Sequence, residues 1–179
     1  MNKQLKLQKH SITTRVLHWI SALLVFSLFI SGWIMVDLDY YSSWYQTLPE
    51  LHILGGCFLL FIWLFVIIRL FINKTQLAEL NHRKHEAFLA RWIKRSFYLL
   101  IVVILACGYL IATADGNPKN ILELIKLPAL SQFSAAQIDT MGWLHRNLSY
   151  VVMVLVVLHI LGALKHHFID KDSTLKRML

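Results

Sequence analysis

Apolar and polar positions in this chain do not alternate; they separate into long blocks. Four stretches contain no Asp, Glu, Lys or Arg: residues 16–36, 51–68, 96–114 and 147–164. Each is about 18 residues or longer, and about 20 residues of helix cross the ~30 Å hydrocarbon core of a bilayer. Only helices and closed barrels satisfy their backbone groups in lipid, and the strands of a barrel would alternate. The pattern therefore predicts an all-α membrane protein. Its four transmembrane helices, roughly 14–36, 50–72, 91–114 and 141–168, form one four-helix domain spanning 1–179. The first run is too long for a signal-peptide core, has no small-residue cleavage site leading into a soluble domain, and is followed by further spans.

The polar segments fit between these spans. Residues 1–14 form a basic arm. Residues 37–49 carry Tyr40, Tyr41, Trp44 and Tyr45, the composition of an interfacial aromatic belt. Residues 73–90 form a polar connection with room for part of a helix. Residues 115–140 are the longest loop, which opens with the turn signal Asp115-Gly116-Asn117-Pro118. The middle of that loop, 121–127, is compatible with a short helix lying on the membrane. Internal repeats and low-complexity tracts are absent from the sequence.

Composition agrees with this picture, and charge orients it. The chain is 57% hydrophobic and 16% charged, with mean hydropathy +0.56. That is too few charges to cover a globular surface. The net charge of +8 raises a nucleic-acid partner, but the distribution of the cations argues against one. Four spans put both termini and the 69–95 connection on one side. That side holds fifteen of the basic residues, and the other holds only Lys119, Lys126 and Arg146. The positive-inside rule then makes both termini cytoplasmic, with some attraction to anionic lipid. Cys57 and Cys107 lie inside spans and read as small buried apolar residues. Without a CxxC or CxxCH motif, neither covalent haem attachment nor a zinc ribbon has support.

The chemistry lies in four histidines, His18, His52, His145 and His159, each in or at the edge of a span. An ionisable residue in lipid is expensive and is a functional-site candidate by default. Topology fixes their depths: His18 and His159 near the cytoplasmic face, His52 and His145 near the outer face. The fourteen residues from His145 to His159 span about 21 Å and fall about 40° short of four full turns, so both face one way. Only the pairings His18 with His159 and His52 with His145 match in depth, and the third span has no histidine. Bis-imidazole ligation between facing helices suits haem iron, whereas zinc would require more ligands than each depth offers. The small residues Ser21, Ala22, Gly55, Gly56, Gly162 and Ala163, one turn beyond three of the histidines, read as clearance for a flat macrocycle, or as ordinary contacts between membrane helices. The alternative to ligation is a proton relay or structural hydrogen bonds; four histidines at two matched depths favour ligation.

These residues resemble the bacterial cytochrome b561 family over nearly the whole chain. The resemblance rests on Arg15-Val16-Leu17-His18-Trp19, Leu51-His52 with Gly55-Gly56, Ile68-Arg69-Leu70, Trp143-Leu144-His145 and Leu158-His159. The closing stretch His166-His167-Phe168, Lys171-Asp172, Thr174-Leu175 and Arg177-Met178 is similar to the branch that includes superoxide oxidase. The resemblance implies two non-covalent b-type haems on the paired histidines. For that branch it implies oxidation of superoxide at the outer face and reduction of ubiquinone. The wider family also includes cytochrome b subunits that link a dehydrogenase or hydrogenase to the quinone pool.

Further candidates follow from those cofactors. Haem carboxylates call for cations: Arg15 and Arg69 for the inner haem, Arg146 and Lys126 for the outer one. His166 and His167, at the cytoplasmic end of the last span, are candidates for a quinone or proton role; snorkelling to water is the alternative. Trp19 is placed to line that site or to anchor in the interface. His82 and His85, beside Arg83 and Lys84, read as a solvated loop rather than a metal pair, and His10 reads as arm. Arg146 and Lys126 are also the candidate guides for superoxide, although the outer side has three basic residues against six acidic ones, a net of −3. Three readings thus remain: a superoxide:quinone oxidoreductase, an electron-transfer subunit, or a haem-free four-helix membrane protein.

Overall fold

A computed structural model describes residues 9–72 and 84–179. Lys3, Lys6, Lys74, His82 and Arg83 lie outside the described residues. Four helices dominate: α1 Ile12–Val36, α2 Thr47–Ile72, α3 Lys84–Ala112 and α4 Ala135–Phe168. All four are long and apolar enough to cross a membrane. Large side chains such as Phe61, Phe65, Phe71, Trp33 and Val154 lie on the outside. In water such a surface would aggregate; in a bilayer it is the solvent-matched face.

Each helix begins or ends where local chemistry allows. Ser11 caps α1, its Oγ accepting the Thr14 N–H at 3.3 Å. Pro49 sits in the first turn of α2, where a missing N–H costs nothing. α4 starts six residues before the apolar run predicts, at Ala135. There Gln137 Oε1 accepts the Ser134 N–H at 2.9 Å, and the following polar residues are good helix formers. α3 likewise starts seven residues early, at Lys84. Its first turn is held by an ion pair between Glu86 and Lys165 of α4. At 34 residues α4 is about 51 Å long, so its ends project beyond any hydrocarbon core.

Ring contacts fix how the helices face. His18, early in α1, meets His159, late in α4, whereas His52, early in α2, meets His145, early in α4. α1 is therefore antiparallel to α4 and α2 runs parallel to it. Phe97 and Ile104 of α3 reach His159 and His145 in the order that makes α3 antiparallel to α4. α1 packs on α2, α2 on α3 and α3 on α4, and Phe29 of α1 meets Tyr150 of α4 at 5.6 Å to close the bundle. The His10 N–H donates to the Arg177 carbonyl at 3.1 Å, which puts the start and finish of the described chain together. We call this the terminus end and the opposite one the loop end.

The loop end departs from the expected surface helix. Residues 121–127 form part of an antiparallel hairpin, β1 Lys119–Ile121 with β2 Ile125–Leu127. Tertiary contacts override helix propensity here. Ile121 is fully buried, the Leu122 N–H donates to Glu50 Oε2 of α2 at 3.1 Å, and Leu122 and Glu123 both adopt positive φ, as a tight primed turn requires. The turn signal before it holds: Gly116 has φ +78° and Asp115 Oδ1 accepts the Asn117 N–H. The Tyr109 hydroxyl donates to the Pro128 carbonyl, and the Phe133 N–H to that of Ala114, folding the loop back over α3.

Candidate cofactor-binding site

The four histidines of the spans stand as two facing pairs. The rings of His18 and His159 have centroids 6.1 Å apart, and so do the rings of His52 and His145. Two imidazoles sharing one metal ion would have ring centres about 6.3 Å apart, from metal–nitrogen bonds of about 2.0–2.1 Å and about 1.1 Å from each nitrogen to its ring centre. Both pairs therefore fit a single iron between two rings.

The loop-end pair is oriented by neighbours. His145 Nδ1–H donates to the Ile104 carbonyl of α3 at 2.9 Å. His52 Nδ1 lies 3.0 Å from Ser31 Oγ, whose own proton goes to the Leu28 carbonyl at 3.1 Å. Ser31 must then accept, so His52 also carries its proton on Nδ1. Both rings keep Nε2 bare for a metal, the usual arrangement for an oriented metal-binding histidine. Two glycines make room. A Cβ on Gly32 would stand 3.2 Å from His52 Cε1, and one on Gly108 would stand 3.1 Å from His145 Cε1. Gly55, read as macrocycle clearance or as an ordinary helix contact, stands where α1 approaches, since its Cβ would meet Leu28 at 3.1 Å; Gly162 faces open space.

Pairing by depth was readable, but these supporting residues were not. α3 contributes no histidine to either pair, yet it supplies Ile104, Gly108 and, at the terminus end, Phe97, whose ring lies 6.1 Å from His159. One signal was available. A glycine inside an apolar helix costs helix propensity and so implies a packing reason, and Gly32 and Gly108 both fall at the level of the loop-end pair.

At the terminus end, His166 Nδ1 lies 2.9 Å from Asp170 Oδ2 and 3.0 Å from Asp172 Oδ2. The Lys165 ammonium bridges Asp170 and Glu86. Its hydrogen bond is the main cause holding the Asp170 carboxyl below its usual range. Glu86, His166 and Asp170 are close enough to bind a cation, but Lys165 already supplies one. His167 stacks edge-on against Phe168 at 4.8 Å. Arg69 donates to Ser11 Oγ at 2.9 Å, tying α2 to the cap of α1. Arg15 is half-buried one turn before His18, and its Nε lacks a partner. Trp19 donates from Nε1 to the Met178 carbonyl at 3.1 Å and sets its ring 5.3 Å from that of His18. His85 lies exposed in the first turn of α3.

At the loop end, Arg146 lines a cleft of about 580 Å³ between α3 and α4, with Trp143, Asn147, Tyr150 and Asp139. Lys126 is exposed on β2 opposite Asn120, and Lys119 pairs with Leu127. Adjacent positions point to opposite faces of a hairpin, so the two lysines do not converge. Cys57 and Cys107 are free thiols, half-buried and buried respectively.

Known proteins match this sequence. The family model described as prokaryotic cytochrome b561 matches residues 9–179. "Cytochrome b561 homolog 2" of Escherichia coli (strain K12) is 38% identical over 172 residues, covering 96% of this chain and 92% of its own. "Probable superoxide oxidase CybB" of Yersinia pestis is 26% identical over 183 residues, covering 96% of each chain.

Proposed function

The chain belongs to the prokaryotic cytochrome b561 family, and we propose that it is a dihaem member that carries electrons from superoxide at the loop end to ubiquinone. It is a membrane electron-transfer protein, and its family carries b-type haem. The observation that carries the dihaem reading is the pair of facing imidazoles at each of two levels, both with centroids 6.1 Å apart. Bound at these levels, haem supplies one-electron relays. The protein's part is orientation: Ser31 and Ile104 fix the tautomers of His52 and His145, and Gly32 and Gly108 leave the rings their space.

The fifteen-to-three asymmetry of basic residues supports cytoplasmic termini and a periplasmic loop end. The reaction balances as two superoxide anions, one quinone and two protons giving two dioxygen molecules and one quinol. Arg146, in its cleft, supplies positive charge toward a superoxide anion; Lys126, exposed on the hairpin, adds to it from a distance. His166, with its Nδ1 2.9 and 3.0 Å from the carboxylates of Asp170 and Asp172, is suited to pass cytoplasmic protons to a quinone head group, with His167 beside it. A relative named probable superoxide oxidase supports this donor.

One observation favours a second reading, a cytochrome b subunit serving a dehydrogenase or hydrogenase. The loop end has three basic residues against six acidic, and its two lysines point apart, which is a poor funnel for an anion. Stopped-flow decay of superoxide with added ubiquinone decides between them. The oxidase reading expects decay well above spontaneous dismutation. No acceleration by protein carrying two haems, together with reduction by a co-purifying dehydrogenase, selects the subunit.

A further inference from the structure

After α4 the chain turns back on itself. Asp172 N–H donates to the His166 carbonyl at 3.0 Å, Lys171 takes φ +53°, and residues 175–177 form a short 3-10 turn. This returning tail is fastened across the start of α1. Trp19 Nε1 holds the Met178 carbonyl, and the Arg177 carbonyl accepts the His10 N–H at 3.1 Å. Arg15 and Trp19 are one turn apart and share a face of α1, so the tail crosses the face that carries Arg15, beside His18.

Buried polar atoms without a protein partner gather at this end: Arg15 Nε, His167 Nδ1 and Thr174 Oγ1. An arginine Nε–H can only donate, so what it lacks is an acceptor. The region is also cationic. His10 is held below its ordinary pKa first by burial, then by the charges of Arg177 and Lys94. Setting membrane orientation needs exposed cations; it does not call for a guanidinium nitrogen enclosed beside a histidine pair.

We propose that the tail is a wall of the terminus-end cofactor site, where Arg15 and Arg177 with the Thr174 hydroxyl receive the carboxylates of the haem held by His18 and His159. This rests on the dihaem reading above. What Arg15 Nε lacks is an oxygen acceptor, and an anionic carboxylate matches a guanidinium in a cationic region better than a neutral quinone carbonyl does. The tail then does more than end the chain: it fixes the edge of the inner haem and sets the charge around it.

Potentiometric titration of the purified, quinone-depleted holoprotein tests this, with His145→Ala as the background in which only the inner haem should remain. Removing a cation beside a carboxylate favours the oxidised iron. Arg177→Gln and Arg15→Gln should each shift the inner ferric/ferrous equilibrium toward ferric by about tenfold, a fall of about 59 mV. Arg177→Lys should recover part of it. Thr174→Val should give a smaller shift, Thr174→Ser none, and both should fold if Arg177→Gln does not. In the dihaem protein the outer haem should keep its potential. Unchanged inner potentials in Arg15→Gln, Arg177→Gln and Thr174→Val overturn the proposal. So does a raised KM for ubiquinone without a redox shift, which reassigns these groups to quinone. So does a shift that disappears on delipidation, which reassigns them to lipid phosphate. A wild-type protein with fewer than two haems overturns the underlying reading, and this one with it.

Discussion

Replacing Gly108 with alanine adds one methyl group to α3 at the level of the loop-end histidines. The new Cβ would stand 3.1 Å from His145 Cε1 and 3.4 Å from its Nδ1. Relaxed carbon contacts lie at about 3.5–4.0 Å, so the ring must retreat by roughly half an ångström. It is not free to do so, because its Nδ1–H is bonded at 2.9 Å to Ile104 O, one turn earlier on the same helix. Overpacking of this kind costs about 1–3 kcal/mol, and the better helix propensity of alanine offsets about 1 kcal/mol. Global stability should therefore change little, while the strain falls on the orientation of His145. Disturbing the support of a metal-binding histidine typically costs about 10–100-fold in affinity. Haem per chain, measured by pyridine haemochrome, should fall toward one in Gly108→Ala. Gly142→Ala is the control, because nothing lies within 4 Å of its added Cβ, and it should retain two. If Gly108→Ala keeps two haems at unchanged midpoint potentials, the steric argument is wrong.

Four further outcomes are expected. His145→Ala should lose the loop-end haem and keep the other; loss of both would contradict the pairing. Ser31→Ala removes the acceptor of His52 Nδ1–H and should speed haem transfer to apomyoglobin by about 10–100-fold, so an unchanged rate would refute the tautomer assignment. Glu50→Ala leaves the Leu122 N–H without its acceptor, a loss of about 1.5–3 kcal/mol for a bond to a charged group. Trypsin should then cut faster at Lys119 and Lys126, and an unaltered rate would mean the carboxylate does not hold the hairpin. Finally, His10 has a lowered pKa in the folded chain. Below its unfolded value of about 6.5 the unfolded chain takes up a proton that the folded one resists, so this stability is present above about pH 6.5 and lost as pH falls. Thermal melts of His10→Gln should show less acid sensitivity than wild type, and identical profiles would rule His10 out.

The four spans and the family were legible because lipid imposes a strong length and composition rule on sequence. The charge-free runs located all four helices, and the histidine depths singled out the two pairs. Helix ends were less legible. Ala135 and Lys84 begin helices in polar sequence, where caps and a tertiary ion pair decide rather than hydrophobicity. The segment 121–127 was compatible with a helix, yet Glu50, about seventy residues earlier, claims its backbone and makes it a hairpin.

By itself, then, the sequence determined that the chain crosses a membrane four times, which family it resembles, and at what depth its histidines lie. All of these follow from one-dimensional quantities: run length, charge count and spacing along a helix. Only the tertiary structure decided which atoms support the rings. Ser31, Gly32, Ile104 and Gly108 act through contacts with other helices, and a backbone carbonyl such as that of Ile104 leaves no mark in the residue type. The same holds for the tail. In the sequence Thr174 and Arg177 stand only as parts of a family-like closing stretch; the fold lays that stretch across the start of α1.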